Sequence, residues 1–219
     1  MKNPWLKIPS ASPYILKEDL PSVKKFNLTT NSKHKIRYHI LPQPIVGTPK
    51  TATVCLLNLN PGYSSKDIYA QNQTKGFRRA NLDSLNFKNK FGFYLLDPRF
   101  KNTSAYRWWY RHLKEVINKW GLEKLRRNLM CIEFFPYHSL NFRFSKKSQL
   151  ASQQFSFCLV QQAMEHHKQI IIMRSAERWF EHVIGLRSYV HKTILFNPQN
   201  PCVTPKNMPK GKFDKIFQH

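Results

Sequence analysis

The feature that most constrains the fold is a pattern that occurs four times along the chain. Each time, a short and almost uninterrupted apolar run ends at a turn. The runs cover residues 51–59, 129–135, 169–173 and 193–196. Such runs are typical of strands buried on both faces, and their alternation with helical segments predicts parallel βαβ units. We therefore predict an α/β fold with three layers, in which helices cover a central, mainly parallel four-stranded sheet.

The clearest helical periodicity lies between residues 103 and 121. Apolar residues from Trp109 to Trp120 share one face, Thr103 or Ser104 can cap the start, and Gly121 can end the helix. Because Trp108 and Trp109 are adjacent, they cannot both face the core, so one of them should be half-buried. Further helices are predicted over residues 148–167 and after Ser175.

Two segments lack this periodicity. Residues 1–50 are basic and proline-rich, which predicts an N-terminal arm or an irregular lead-in ahead of one domain over residues 51–219. The basic residues of the arm either follow a phosphate backbone or are simply solvated. Residues 69–102 alternate basic side chains with aromatic rings, which suits either nucleic-acid contacts or a loop held to the core by its rings.

The charge indicates the class of partner. The chain has 36 Lys and Arg against 12 Asp and Glu, a formal net charge of +24. The commonest partner of such a field is a polyphosphate backbone, and binding driven by counterion release falls steeply with salt. We expect a nucleic acid, in particular DNA, that is single-stranded or mismatched.

Other classes are disfavoured. No stretch approaches the roughly 20 apolar residues of a membrane span, and the first residues lack the apolar run of a signal peptide. The four cysteines are far apart without a CxxC pair, which argues against a zinc or iron–sulfur site and favours free thiols in a reducing compartment. We expect a monomer without metal, cofactor or membrane partner, located in the cytoplasm, or at the nucleoid if the source is prokaryotic.

Polar residues follow each predicted strand. They are 60–64 after the first strand, 136–139 after the second, 174–175 after the third and 197–201 after the fourth. Ligands of open parallel sheets bind beyond the carboxyl ends of the strands, so these segments predict the site. They contain almost no carboxylates, which argues against a metal site and against a two-carboxylate hydrolase.

Two of these segments carry a family resemblance. Asn58-Leu59-Asn60-Pro61-Gly62 resembles the first motif of the uracil-DNA glycosylase superfamily, closest to its mismatch-specific and single-strand-selective branches. Asn197-Pro198, running on to Asn207, is similar to the second motif of the mismatch-specific branch. The resemblance spans about residues 51–208. It implies a uracil-DNA glycosylase-like fold and a monofunctional DNA-repair hydrolase that flips out a base and breaks its N-glycosidic bond without a cofactor.

The resemblance also implies roles for residues. Asn60 would hold the attacking water, and Asn197 or Asn200 would lie near the base carbonyl or the strand backbone. Tyr63 or Phe134 would stack on the flipped base.

The end of the second predicted strand leaves alternatives open. Glu133 or His138 would read the base edge. Glu133 would otherwise be a core-edge carboxylate paired with a surface lysine, and His138 would otherwise titrate as a catalytic group or bond to the backbone.

Contacts to the DNA backbone are expected from Lys206, Lys210, Arg174 and Ser64. Residues 203–210 would wedge into the duplex. Arg174, at the start of a helix, would otherwise only face solvent.

The chain also departs from the family pattern. The fourth-strand motif has no histidine, Asn60 stands where the stronger members have Asp, and Gln199 and Asn200 lengthen the second motif. A non-catalytic protein that recognises an unpaired or modified base on the same scaffold is therefore the alternative to a glycosylase acting on uracil or another damaged base. A nuclease or an RNA-modifying enzyme is a third hypothesis, which the scarcity of carboxylates disfavours.

Overall fold

The protein is described by a computed structural model, which covers residues 1–90, 92–144 and 149–217. Within these residues, five strands form one mixed sheet in the order β1-β3-β2-β4-β5. The strands are β1 (Ile45–Gly47), β2 (Val54–Asn58), β3 (Leu129–Glu133), β4 (Gln169–Ile172) and β5 (Lys192–Ile194). The predicted α/β class is confirmed, and all four predicted strands are present as β2 to β5, parallel to one another. The prediction of four strands is wrong by one, because β1 pairs antiparallel with β3.

Helices flank the sheet. They are α1 (Leu20–Thr29), α2 (Ser65–Gln73), α3 (Phe77–Leu85), α4 (Ser104–His112), α5 (Lys114–Trp120), α6 (Leu122–Asn128), α7 (Gln153–Glu165) and α8 (Ala176–His182). Short 3-10 turns occupy Pro4–Lys7, Ser32–His34, Tyr94–Leu96, Pro98–Phe100, Leu186–Ser188 and Pro205–Asn207. The segment predicted to be irregular, 69–102, therefore contains most of α2 and all of α3. The helix predicted over 103–121 is divided at Leu113 into α4 and α5.

The strands are apolar on both faces because both faces are covered. Alternate residues of β2 point to opposite sides, so Cys55 and Leu57 join one core cluster while Val54 and Leu56 join the other. The first cluster includes apolar residues of α7 and α8, and the second includes those of α4, α5 and α6. The sheet therefore lies between two helical layers.

Residues 1–50 are part of this core, which corrects the prediction of a separate arm. Trp5 and Val23 are fully buried, and Ile36 and Ile45 are buried in the same cluster as the α7 and α8 side chains. The segment also supplies β1. The proline-rich composition hid these contacts, because its apolar residues do not follow one helical or strand period.

Gly47 makes the β1 pairing possible. Its φ is +96°, and a Cβ atom there would lie 2.4 Å from the carbonyl oxygen of Leu129. Only glycine tolerates both the backbone conformation and the close approach of β3.

Candidate functional site

A cleft of about 910 Å³ opens at the carboxyl ends of β2, β3 and β4. Its lining includes the segment after β2 from Asn58 to Ser64, the segment after β3 from His138 to Phe142, and Arg174 after β4. Helix α4 closes one side with Trp108 and Trp109. The structure thus brings together three of the four strand-end segments that the sequence predicted for the site, and the fourth contributes Gln199.

Asn60 lies in this cleft with its amide held in one orientation. Its Nδ2 donates hydrogen bonds to the Pro61 carbonyl oxygen at 2.9 Å and to Ser139 Oγ at 3.0 Å. A carbonyl oxygen can only accept, so the amide nitrogen must face Pro61, and Oδ1 points the other way. No described residue donates to Oδ1, which leaves it able to accept a hydrogen bond from a water or a ligand.

The floor of the cleft contains an unusual group of buried polar atoms. Asn58 Nδ2 donates to Glu133 Oε1 at 3.1 Å, across the β2–β3 pair. The other ends of both side chains, Asn58 Oδ1 and Glu133 Oε2, are buried and have no hydrogen-bond partner, and the same is true of Arg174 Nε. Buried polar groups in proteins are nearly always paired, so three orphan atoms at one place call for a ligand or ordered water.

Burial also sets the protonation of Glu133. Desolvation raises the pKa of its carboxyl to about 8, although the hydrogen bond from Asn58 and the charge of Arg174 act in the opposite direction. The group is therefore mostly neutral at pH 7. Burial lowers the pKa of Arg174, and the nearby Glu133 opposes that shift. The sequence-based alternative of an ion pair between Glu133 and a surface lysine is not found among the described residues.

His138 lines the cleft, but its ring is held by the backbone. Nδ1 lies 2.6 Å from the Gly62 carbonyl oxygen, and Nε2 lies 3.0 Å from that of Leu41. Burial is the main influence on its pKa, which is lowered. Both ring nitrogens face backbone carbonyl oxygens, so a neutral ring donates to one of them and is held in place, and the structural alternative describes this residue better than the catalytic one.

Aromatic side chains border the cleft on two sides. Trp108 is half-buried while Trp109 is buried, as the sequence predicted for one of the pair. Trp108 stacks on His112 with ring centroids 3.9 Å apart. Tyr63, in the segment after β2, also lines the cleft, with the Arg37 guanidinium 5.2 Å from its ring centroid. Both rings can present a face to a planar ligand.

Three of the predicted site residues lie elsewhere. Phe134 is buried in the core, packed edge-on against Trp179 with ring centroids 5.2 Å apart, because the residue after β3 points away from the cleft. Asn197 and Asn200 are exposed on the loop after β5. Asn197 Oδ1 accepts hydrogen bonds from the backbone N–H groups of Gln199 and Asn200, so this side chain shapes its own loop. The assignments of Phe134 as a stacking ring and of Asn197 as a cleft residue are corrected accordingly.

The residues predicted to contact the DNA backbone do not lie together in the structure. Ser64 lines the cleft and caps α2, and Asp67 accepts from its backbone N–H in a capping box. Lys206 and Lys210 are exposed on the C-terminal segment, outside the cleft lining. Val203 and Met208 of that segment are buried in the core, so these apolar side chains are not free to wedge into a duplex.

Sequence reasoning gave no site role to several residues of the cleft, among them Asp67 and Asn58. Asp67 is placed there by the capping box, and its Oδ1 accepts from Ser104 Oγ. The Ser-x-x-Asp spacing is the signal that could have found it. Asn58 was read only as part of a motif, although a polar residue at the end of a strand buried on both faces is itself a signal. Gln199 lies in the segment 197–201 that the sequence predicted for the site, although the sequence gave this residue no role of its own.

Within the described residues, no group of three or more His, Cys, Asp or Glu side chains is arranged to hold a metal ion. None of the helices in the described part of the chain is long and apolar enough to cross a membrane. The chain matches no protein-family model, no curated protein and no solved structure.

Proposed function

We propose that the protein binds DNA and hydrolyses the N-glycosidic bond of a nucleotide whose base is turned into the cleft. The observation that carries this proposal is the fixed amide of Asn60, whose Oδ1 faces away from its two hydrogen-bond acceptors. Positioning of a water in this way orients its lone pair toward an electrophilic carbon. An amide is a poor base, so the contribution of Asn60 is orientation rather than proton abstraction.

The reaction needs few groups. Water adds to C1′ of the sugar, the C1′–N bond breaks with its electron pair going to the base, and the proton of the water ends on the released base or in solvent. The polar floor of the cleft would hold the base, and Trp108 or Tyr63 would stack on it. The net charge of +24 would supply affinity for the phosphate backbone.

The test is a base-release assay. Oligonucleotides with uracil in single strands and in G·U and A·U pairs are incubated with the wild type and with Asn60→Ala, then treated with alkali to cut abasic sites. We expect cleavage by the wild type and none by Asn60→Ala, with DNA affinity nearly unchanged. Asn118→Ala is a matched control on the exposed face of α5 and should cleave like the wild type.

One observation favours the second candidate, a non-catalytic base-binding protein. Asn197, which the motif resemblance placed near the departing base, is turned into its own loop. The end of β5 therefore brings only Gln199 to the cleft to stabilise charge on a leaving base. Salt-sensitive binding without an abasic product from any of the substrates would support this candidate. Cleavage that survives Asn60→Ala unchanged would remove Asn60 from the mechanism.

A further inference from the structure

The cleft extends beyond its floor toward the edge of the sheet that β1 forms. There it is lined by three amide side chains from three different segments, Gln43 before β1, Gln71 on α2 and Asn81 on α3. All three line the cleft although they are buried, with exposed fractions of 8%, 7% and 2%. We call this group the amide pocket. Its side chains are distinct from those of the floor, which come from β2, β3 and the segment after β4.

The walls of the amide pocket are held in place by hydrogen bonds between segments. Gln71 Oε1 accepts from the Leu41 backbone N–H at 2.6 Å, which ties α2 to the segment before β1. Ser84 Oγ donates to the Ile45 carbonyl oxygen at 3.1 Å, which ties α3 to β1 itself. The pocket is therefore preformed, so that a ligand entering it does not have to order the surrounding chain.

Two of the amides have hydrogen-bonding capacity that the protein does not use. Asn81 Oδ1 is buried without a partner, and its amide makes no hydrogen bond to another described residue. Because Gln71 Oε1 faces the Leu41 N–H, its Nε2 faces another direction, where no described residue accepts from it. Gln43, in contrast, donates from Nε2 to the Tyr94 hydroxyl at 2.9 Å. A buried polar atom without a partner lowers stability, so its presence at Asn81 points to a ligand or an ordered water.

The ligand group that enters this pocket has to be neutral. None of the three amides ionises, and their neighbours along the cleft lining are apolar: Ile40, Val46, Phe77 and Leu95. A phosphate or carboxylate would lose its hydration there without meeting a cation. A flat ring with N–H and carbonyl groups at its edge fits better, because its faces pack on apolar side chains while its edge bonds to amides. Phe77 and Asn81 are four residues apart on α3, so they lie on the same face of that helix.

The size of the cleft allows more than one such ring. Its volume of about 910 Å³ is near the upper end of the roughly 300 to 1,000 Å³ of pockets that hold drug-sized ligands, and one nucleobase is smaller than such a ligand. A base lying on the floor therefore leaves the amide pocket free. The net charge of +24 attracts a nucleic acid, and the neutral rings of a nucleic acid are its bases.

We propose that the amide pocket binds a second base, the neighbour along the strand of the base that lies on the floor. This inference rests on the proposed function in taking the ligand to be DNA, and it holds for either a glycosylase or a binding protein. The Asn81 amide has no partner that fixes it and can turn over, so it offers a donor or an acceptor to any base. The substrate is then a single strand or an unpaired loop, because a duplex would have to open and unstack two successive base pairs.

The experiment measures what a second base adds to affinity. Full-length protein carrying Asn60→Ala, which prevents base release, is titrated against fluorescent oligonucleotides made of tetrahydrofuran abasic sites. One oligonucleotide holds a single uracil, and the others hold thymine or adenine directly 5′ or directly 3′ of that uracil. We expect the second base to tighten binding by at least about fivefold on one of the two sides, for thymine and adenine alike, as measured by anisotropy.

Asn81→Leu in the same background tests the pocket. It replaces the amide by an apolar side chain of similar size, so the gain from the second base should fall below about twofold. Affinity for an oligonucleotide of abasic sites alone should stay within about twofold, because that affinity comes from phosphate contacts. The free energy of unfolding should stay the same or rise, because an unpaired buried polar atom is removed, whereas the loss of a structural amide would lower it.

Two further variants complete the design. Asn72→Leu is the matched control, since Asn72 is exposed on α2 outside the cleft lining, and it should keep the full gain. Asn81→Ala removes the same amide without filling the space, and it decides the question if Asn81→Leu does not fold.

Two results would overturn the inference: no gain from a second base on either side, or a gain that persists when the Asn81 amide is removed. Base release by the wild type together with either result would support the proposed function while rejecting the second base site. Conversely, a gain that depends on Asn81 in a protein that releases no base would support the second base site and reject the glycosylase.

Discussion

Asp19 and Glu133 are both buried carboxyl groups, and desolvation raises the pKa of each, yet their surroundings differ. Both oxygens of Asp19 are paired, because Oδ2 accepts from the Tyr137 hydroxyl at 2.7 Å and Oδ1 from the Ser152 backbone N–H at 3.2 Å. Glu133 has one oxygen paired and one without a partner. The first arrangement joins the N-terminal segment to the core, and the second lines a cleft.

This difference in hydrogen bonding distinguishes a buried carboxyl group that stabilises the fold from one that is available to a ligand. A carboxyl whose partners are complete contributes to stability and has no capacity left for a ligand. A carboxyl left half-satisfied lowers stability when it ionises, and its free atom is available for binding. The two sites should therefore respond oppositely to substitution.

The largest expected effect is that of Glu133→Gln on the pH dependence of the protein's stability. Its folded-state pKa of about 8 lies above the ordinary value of 4.5, so the folded protein keeps a proton that the unfolded chain releases. The resulting stabilisation is complete below pH 4.5 and is lost as the pH rises through about 8, at about 1.4 kcal/mol per pH unit within that window. Glu133→Gln should remove this slope in urea unfolding measured across the window.

Asp19, whose pKa is also raised, is present in both proteins, so the difference between their slopes isolates Glu133. An identical slope in the variant would mean that Glu133 is solvated and ionised in the folded state. The contrast between a half-paired Glu133 and a fully paired Asp19 would then not hold.

Asp19→Ala should lower the free energy of unfolding by about 3 kcal/mol, because it leaves the Tyr137 hydroxyl and the Ser152 N–H buried without acceptors. The measurement is urea unfolding at neutral pH. Glu18→Ala, at the exposed neighbouring position, is the matched control and should change stability by less than about 0.5 kcal/mol. If Asp19→Ala lowers the free energy of unfolding no more than Glu18→Ala does, the paired Asp19 carboxyl does not stabilise the fold.

Tyr137→Phe should cost about 1 to 2 kcal/mol, less than Asp19→Ala, since it removes one hydroxyl that serves two partners. That hydroxyl donates to Asp19 and accepts from the Leu16 backbone N–H at 3.1 Å. Thermal unfolding of the single variants and of the Asp19→Ala/Tyr137→Phe double variant gives the coupling between them. Strict additivity would contradict a shared network.

The smallest expected effect is at the cleft, in Ser139→Ala. Loss of the Oγ acceptor loosens the Asn60 amide and should slow base release by about fivefold to tenfold, equivalent to about 1 kcal/mol, with little change in stability. Single-turnover base release is the measurement, with the exposed Ser188→Ala as control. An unchanged rate would mean that the Pro61 carbonyl alone orients the amide.

The strands and helices that could be predicted were those whose apolar residues follow a clear pattern along the sequence. The residues of β2 to β5 were identified because strands buried between two helical layers must be apolar throughout, and this leaves a strong local signal. The edge strand β1 was missed because it has three residues and lies in a proline-rich segment. The helices within 69–102 were missed because their aromatic and basic residues resemble those of a nucleic-acid-binding loop.

The site was predictable to the level of its segments. Asn60, Tyr63, His138 and Arg174 were placed in one cleft by the rule that parallel strands converge at their carboxyl ends. The rule does not state which way a side chain points after its strand ends, so Phe134 and Asn197 were assigned to a cleft that they do not line.

The sequence by itself therefore determined the α/β class, the parallel strands, the edge of the sheet that carries the cleft and the basic charge, because each depends on composition or on local periodicity. Only the tertiary structure decided that residues 1–50 belong to the core and that Asn58 and Glu133 meet across β2 and β3. It also decided which buried carboxyl is fully paired and which is not. The physical reason is that hydrogen-bond satisfaction in a core depends on contacts between residues far apart in the chain, such as Asn58 and Glu133, and local sequence does not encode them.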